Sequence, residues 1–277
     1  MMVIESAGLT DVGKKRKGNE DALFLDDSLG LYIVADGMGG HRAGEVASGL
    51  VVETLGGYMK RLREHGEEEE PADADETLSR EANRLLTGIH LANWSVHRLS
   101  LENPAYRGMG STVSAVLLTG ATAVAANVGD SPIYLIHDGS IEAIYKPHTV
   151  QAAYGALHHG MLEQQHLRHM LTQAMGTQTT VEAHICEVQC FRGDILVMGS
   201  DGLSDKVSPE EIRYVAVGNS PERACRLLVD MANQRGGDDN VTVIVVKMGP
   251  VGGGRSRIAG IFARFFSRLF GDGRAKG

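Results

Sequence analysis

Four apolar stretches of this chain end or begin on aspartate. LYIVADGMGGH over residues 31–41 places Asp36 where the run stops, AVAANVGD ends on Asp130, and ILVMGSDG ends on Asp201 and Gly202. In GGDDNVTVIVV the order reverses, with Asp238, Asp239 and Asn240 opening the last run. A short apolar run bounded by a turn signal reads as a core strand, so each carboxylate is expected on a rigid element at its open edge. Brought together, four such groups repel one another unless a cation stands between them. The donors are carboxylate and carbonyl oxygens with no Cys or His interleaved, which selects a hard divalent ion, Mg2+ or Mn2+, and disfavours zinc. Gly37, Gly39 and Gly40 permit a tight turn with close backbone approach to a ligand.

A basic loop, Lys14-Lys15-Arg16-Lys17-Gly18, precedes Asn19-Glu20-Asp21 and the short apolar run 22–25. Any single lysine there reads as a solvated loop residue. Arg16 differs once a metal site is expected, because a guanidinium offers the bidentate grip that a phosphate dianion needs.

The elements that must position these groups follow from periodicity. A first strand is expected over 3–11. Ala43, Val46, Ala47, Leu50, Val51, Leu55 and Tyr58 recur at helical spacing over 42–61, and Leu78, Ala82, Leu85, Ile89 and Val96 mark a second long helix ending before Asn103-Pro104. Between them EHGEEEEPADADE reads as a mobile acidic loop. Short strands over 111–118, 122–128, 133–137 and 141–145, punctuated by Thr119-Gly120 and Asp138-Gly139, predict antiparallel sheet. The stretch 147–176 turns helical and histidine-rich, an exposed flap in which His166 and His169 make only a weak case for metal. Strands over 181–191, 194–198 and 240–248 and helices over 209–217 and 221–234 complete the pattern.

The 277 residues are 43% hydrophobic and 22% charged, enough for one large domain. No apolar run has membrane-spanning length, and the N-terminus lacks the apolar segment of a signal peptide. Cys186, Cys190 and Cys225 are too few and odd in number for a disulfide framework, which points to a reducing cytoplasm. Residues 251–277 hold six of the 27 basic residues and one of the 35 acidic ones, so this tail carries +5 and the rest of the chain −13. A body so acidic is a poor nucleic-acid binder.

In order, GKKRKGNEDA, VADGMGGHRAGEVAS, MGSTVSAV, NVGDS, MGSDGLSD and GGDDNVTVIVV resemble the bacterial branch of the metal-dependent Ser/Thr protein phosphatases, the PPM or type 2C family. The resemblance spans about residues 8–247. It implies an α+β fold, a central sandwich of two antiparallel β-sheets flanked by helices, with two principal Mn2+ or Mg2+ ions and a weaker third. It further implies that Asp36 bridges the two principal ions, the Gly37 carbonyl binds one of them, and Asp201 and Asp239 complete the first ion's shell. Glu20 and Asp21 match the pair that contacts the second ion or its waters, Asp130 the ligand of the third, and Arg16 the phosphate-binding arginine. By the same resemblance Asn240 is expected to orient Asp239 rather than touch metal. The implied chemistry is hydrolysis of phosphoserine or phosphothreonine by a water activated between two cations, with no protein nucleophile. Ser111 and Ser131 lie in no nucleophile-elbow sequence.

Departures from the pattern bear on recognition. Met38 stands where eukaryotic members carry a histidine proposed as general acid, which leaves that task to a metal-bound water and gives nearby His41 only a modest claim. Pro132 replaces an arginine common after Gly-Asp-Ser, and Lys146-Pro147-His148-Thr149 lacks the usual aspartate before histidine. The partners implied are phosphorylated proteins, including a Ser/Thr kinase or its substrate, and the Met38 variant and tail resemble type VI secretion-associated members. A pseudophosphatase module and a small-molecule phosphomonoesterase are the alternative classes.

The resemblance does not cover the tail. The phosphatase domain is expected over 1–249, a glycine-rich linker over 250–256, and an amphipathic basic helix over 257–271. There Ile258, Ile261, Phe262, Phe265, Phe266, Leu269 and Phe270 share one face, with Arg257, Arg264, Ser267 and Arg268 off it or on its edge. That is the pattern of a helix on anionic lipid, in a partner's groove, or packed on its own domain. The expected location is cytoplasmic, peripheral at the inner membrane face.

Overall fold

A computed structural model of the chain describes residues 3–39, 43–65, 74–154 and 170–249. Its strands are β1 (Val3–Asp11), β2 (Asp21–Asp26), β3 (Leu31–Met38), β4 (Gly110–Ser111), β5 (Val113–Thr119), β6 (Thr122–Val128), β7 (Ile133–His137), β8 (Ser140–Ala143), β9 (His184–Gln189), β10 (Ile195–Gly199) and β11 (Val241–Gly249). Its helices are α1 (Ala43–His65), α2 (Arg80–Glu102), α3 (Val150–Tyr154), α4 (Asp201–Ser204), α5 (Pro209–Gly218) and α6 (Pro221–Gln234). One sheet runs β1-β11-β10-β7-β8 and the other β2-β3-β5-β6-β9, with β4 also on β3, and every pairing is antiparallel.

The continuous apolar run of β3 has a structural cause. Tyr32 and Val34 face the other sheet and meet Leu135, Leu196, Met198 and Ile244, while Leu31, Ile33 and Ala35 face Val51, Leu55, Leu85 and Ile89 of α1 and α2. A strand covered on both faces has no position left for a polar residue, so alternation disappears. On the outer face of the second sheet, Val197, Val243 and Val245 pack beneath Ile212 of α5 and Leu228 of α6. The result is the expected sandwich flanked by helices.

Local chemistry sets the ends of these elements. Ser79 caps α2 by accepting from the Ala82 amide at 3.1 Å, and Ser208 with Glu211 forms a capping box ahead of Pro209 in α5. Such caps contribute about 1 kcal/mol each. Asp138 and Gly139 sit at φ 45° and 77°, the left-handed pair that a two-residue hairpin between β7 and β8 requires.

Part of the flap departs from its helical expectation. Residues 170–176 form isolated bridges, Thr149 with Leu171 and Ser111 with Met175. The cause is tertiary: the Gly176 amide donates to Asn93 Oδ1 at 2.7 Å and its carbonyl pairs with His97 Nδ1 at 3.0 Å, so α2 takes the bonds a helix would have used. Helix α1 also runs four residues past 61, to His65. Residues 155–169, with His158, His159, His166 and His169, lie outside the described residues, as do Gly40, His41, the acidic stretch 66–73, the linker 250–256 and the tail helix 257–271. Among the described residues no helix is long and apolar enough to cross a membrane.

Antiparallel order brings the ends of β3, β6 and β10 and the starts of β2 and β11 to one end of the sandwich. The chemistry-bearing aspartates are carried there. Truncating the inter-sheet core with Leu196→Ala, fully buried, is expected to cost about 2–5 kcal/mol in urea denaturation. By contrast Trp94→Ala, on an exposed side chain stacked by Arg98, should cost about 1 kcal/mol or less.

Candidate metal and active site

Asp36 at the end of β3 and Asp21 at the start of β2 are direct cross-strand partners. Like charges in that register are destabilising by themselves. Asp21 Oδ2 accepts from Ser200 Oγ at 2.7 Å and Thr242 Oγ1 at 2.6 Å, while its enclosed Oδ1 has no protein partner. Asp201 opens α4, and its enclosed Oδ1 is also unpartnered. The backbone of Asp36 is held on both sides: its amide donates to Thr112 Oγ1 at 3.0 Å, and its carbonyl accepts from the Thr112 amide at 2.8 Å and Ser111 Oγ at 3.0 Å. Ser111 and Ser131 therefore serve as scaffold, the latter through a 2.8 Å bond between its hydroxyl and that of Thr112.

Gly37 explains itself by proximity. Its amide donates to the Glu20 carbonyl at 3.0 Å, and a Cβ there would collide with the carbonyls of Gly44 and Glu20. Only a residue without a side chain lets the start of α1 close onto the strand end.

Burial is the first cause of every carboxyl shift here. It pushes Asp21 up to about 6 and Asp130 up to about 7, and Asp201 is raised as well. Asp36 stands well above its usual range, raised by burial, then by the charges of Asp21 and Asp201, then by a hydrogen bond to Asp201. The two carboxyls therefore resist being charged together in the absence of a neighbouring cation. Glu20 is raised by burial despite Arg16 nearby.

The basic loop is tied to the start of β11 rather than left in solvent. Arg16 Nη2 donates to Asp239 Oδ2 at 2.6 Å, Lys15 and Lys206 both pair with Asp238, and the Lys14 amide donates to the Gly237 carbonyl at 2.8 Å. Asn240, nearly buried, is the pin: Oδ1 accepts from the Glu20 amide at 2.8 Å, and Nδ2 donates to the carbonyls of Val12 at 2.9 Å and Gly18 at 3.0 Å. It contacts Asp239 only through its own amide, which donates to Asp239 Oδ1 at 2.8 Å. The side chain expected to orient Asp239 instead holds the segment that carries Arg16 and Glu20.

One cavity of about 560 Å3 gathers Arg16, Glu20, Asp36, Gly37, Asp130, Asp201 and Asp239, with Met38, Thr112, Thr177 and residues 170–174 as further walls. Of the predicted set Asp21 stands behind this wall, against Asp36. Sequence reading missed Thr112, Ser200 and Thr242, although each lies inside a quoted motif, because a hydroxyl beside a chemistry-bearing aspartate signals nothing until its partner is known. The segment 146–149 also belongs to the neighbourhood: the His148 amide donates to the Gly129 carbonyl at 2.9 Å, beside Asp130, and lines an adjacent cavity of about 440 Å3.

The donor set fits hard divalent ions. Two enclosed carboxylate oxygens lack partners, the acids oppose one another, and no thiol or imidazole among the described residues lines the cavity. Among the described residues no three such groups already stand arranged around one point, and Arg16 lies on Asp239. Ion binding at Asp239 must loosen that ion pair.

The Protein phosphatase 2C family model matches residues 14–235. A putative protein phosphatase 2C-type protein of Streptococcus pyogenes is 34% identical over 244 residues, covering 86% of this chain and 94% of the relative. Among solved structures, the catalytic domain of the serine/threonine protein phosphatase PstP in complex with two manganese ions superposes with a TM-score of 0.76 at 30% identity, over 90% of this chain and all of that one. PppA, described as a key regulatory component of the type VI secretion system in Pseudomonas aeruginosa, gives 0.71 at 31% identity, over 88% and 97%.

Chelated protein should lose stability as pH rises from about 4 through about 7, because folded Asp21 and Asp130 hold protons that the unfolded chain releases. Each unit of such a shift is worth about 1.4 kcal/mol. Melting temperature against pH, with EDTA or with Mn2+, reads this directly: the fall is expected only under EDTA, and a flat or rising EDTA profile contradicts it. Asn240→Ala, which strips three backbone groups of their partner, should lower stability by at least about 2 kcal/mol and raise KM through the loosened Arg16 loop.

Proposed function

From membership of the protein phosphatase 2C family, to which this chain belongs, we propose that Asp36, Gly37, Asp201 and Asp239 hold the principal ions, with Glu20 and Asp21 toward the second and Asp130 toward a weaker third. The chain is a serine/threonine phosphoprotein phosphatase dependent on Mn2+ or Mg2+. The observation that carries the residue assignment is the gathering of these acids, two with enclosed and unpartnered oxygens, at one cavity that Arg16 also lines.

When bound, the ions lower the pKa of water and stabilise charge on the transferring phosphoryl group. The chain's own residues do the rest. Arg16, released from Asp239, grips the phosphate oxygens with its planar fork. Asp36 and Asp201, both raised by burial, must be ionised to act as carboxylate ligands. Asn240, Thr112 and Ser111 keep Glu20, Arg16 and Asp36 in place by backbone bonds, so positioning does not depend on loops alone. Met38 lines the cavity where a proton donor would otherwise stand.

Phosphorylated proteins are the substrates, and the enzyme opposes a bacterial Ser/Thr kinase in type VI secretion-associated signalling. Likeness to PppA supports that context. The cytoplasmic location is peripheral at the inner membrane face or at a partner's groove, supported by the apolar and basic pattern of residues 257–271. Phosphoproteomics of a deletion strain tests the substrate assignment.

Hydrolysis of a phosphothreonine peptide should require Mn2+ or Mg2+ and stop with chelator, with sugar phosphates turned over far more slowly. Asp36→Asn is expected to abolish turnover with the fold retained by circular dichroism. Arg16→Ala should raise KM more than it lowers kcat, since its contact exists in ground and transition states alike. Full activity of Asp36→Asn, or activation by zinc alone, contradicts the assignment.

A further inference from the structure

A second cavity, of about 440 Å3, lies against the catalytic one, and Thr172 and Gln173 line both. Its other walls include Lys146, His148, Glu182 and His184. Asn127, near the end of β6, brings these groups together. It is the cross-strand partner of His184 in β9, and its buried side chain holds Lys146 twice, accepting from the amide at 3.1 Å and donating to the carbonyl at 2.8 Å. His148 is fixed against the same strand end: its amide donates to the Gly129 carbonyl at 2.9 Å, and its carbonyl accepts from the Thr172 amide at 2.8 Å. Gly129 immediately precedes Asp130, so the cluster hangs on the neighbour of an acid that lines the catalytic cavity.

The ring of His148 has a defined polarity. The Gly129 amide donates to Nδ1 at 3.3 Å, so Nδ1 is the acceptor and the neutral imidazole carries its hydrogen on Nε2, where it is a donor. Burial, then His184, then Lys146 push His148 below its usual range, and burial followed by Lys146 does the same to His184. Both rings are thus neutral hydrogen-bonding groups beside one exposed cation. Glu182, the carboxylate of this lining, pulls the other way on His148, but less than Lys146 pushes.

We propose that this second cavity is a substrate subsite for an anionic side chain, carboxylate or phosphate, close in sequence to the phosphorylated residue of the protein substrate, with Lys146 as its cation and His148 and His184 as flanking hydrogen-bonding groups. The inference rests on the phosphoprotein phosphatase reading above and deepens it by naming a sequence preference. Continuity of the two cavities identifies the occupant. A peptide whose phosphoresidue fills the catalytic cavity leaves it on this side over Thr172 and Gln173, and an extended chain advances about 3.3 Å per residue, so a side chain a few positions away reaches the second cavity. Lys146-Pro147-His148-Thr149 is also a place where the chain departs from the family's pattern, so the preference is expected to be particular to this protein.

Phosphothreonine peptides in which one glutamate is moved through the positions on either side of the phosphoresidue, each matched by its glutamine counterpart, test this with the full chain and Mn2+. At one position glutamate is expected to raise kcat/KM over glutamine by roughly three- to fivefold, through KM, as one partly exposed ion pair would. Lys146→Gln should erase that ratio, His184→Gln should reduce it, and Lys146→Glu should reverse it and favour lysine at the same position, which a merely structural role for the segment would not do. A non-hydrolysable phosphonate analogue of phosphoserine at that position separates the two sources of the anion: a larger gain than with glutamate assigns the subsite to multiply phosphorylated segments, a smaller one to acidic segments. No preference at any position, or a preference that Lys146→Gln leaves intact, overturns the inference. Turnover of p-nitrophenyl phosphate, which has no flanking residues, reads the phosphatase assignment by itself: turnover without a glutamate preference refutes the subsite alone, and no turnover in Mn2+ refutes the assignment and the subsite with it.

Discussion

Mutual repulsion among enclosed carboxyl groups is the constraint around which this end of the molecule is built. Asp21 and Asp36 face each other across two strands, and the charge of Asp201 raises Asp36 further. A fold does not gather such groups for stability, because each pays for desolvation and gains a neighbour of the same sign. The arrangement makes sense as a receptacle for positive charge. Divalent cations supply it, and the arginine lying on Asp239 supplies part of it from within the chain.

The rest of the structure answers to the demand that these groups stay put. They sit at strand termini rather than in free loops, so the covered sheets transmit their rigidity to the acids. Where a segment between elements must contribute, it is tied by backbone bonds: Asn240 fixes the basic loop through three of them, and Thr112 brackets Asp36. Substrate-facing walls are built differently. Residues 146–149 and 170–174, with Met38, border the cavities, and Met38 and 146–149 are among the places where this chain departs from the family's pattern. Chemistry and recognition thus occupy different parts of one cleft, which lets specificity change without disturbing the acids.

Much of this was legible in the chain itself. The aspartates announced themselves by ending apolar runs, the glycine neighbours marked the turns beside them, and helical and alternating periodicities located the helices and strands. The misreadings have physical causes. Residues 170–176 carry a helical pattern, but Asn93 and His97 of α2 claim their backbone groups. Asn240 looked like a partner for the acid beside it, whereas its side chain spans to residues more than two hundred positions away in sequence.

Sequence by itself determined which residue types could do chemistry here, that their ligand must be a hard cation, and that short strands would pair antiparallel beside long helices. Those are properties of side-chain donors and of local periodicity, and both are written residue by residue. Only tertiary structure decided that Asp21 opposes Asp36, that Ser200 and Thr242 occupy one oxygen of Asp21 while leaving the other unpartnered, and that Arg16 rests on Asp239. It also decided that the chain leaves the domain at the end away from the acids. Register and long-range pairing are set by how distant strands meet, and no local pattern encodes that meeting.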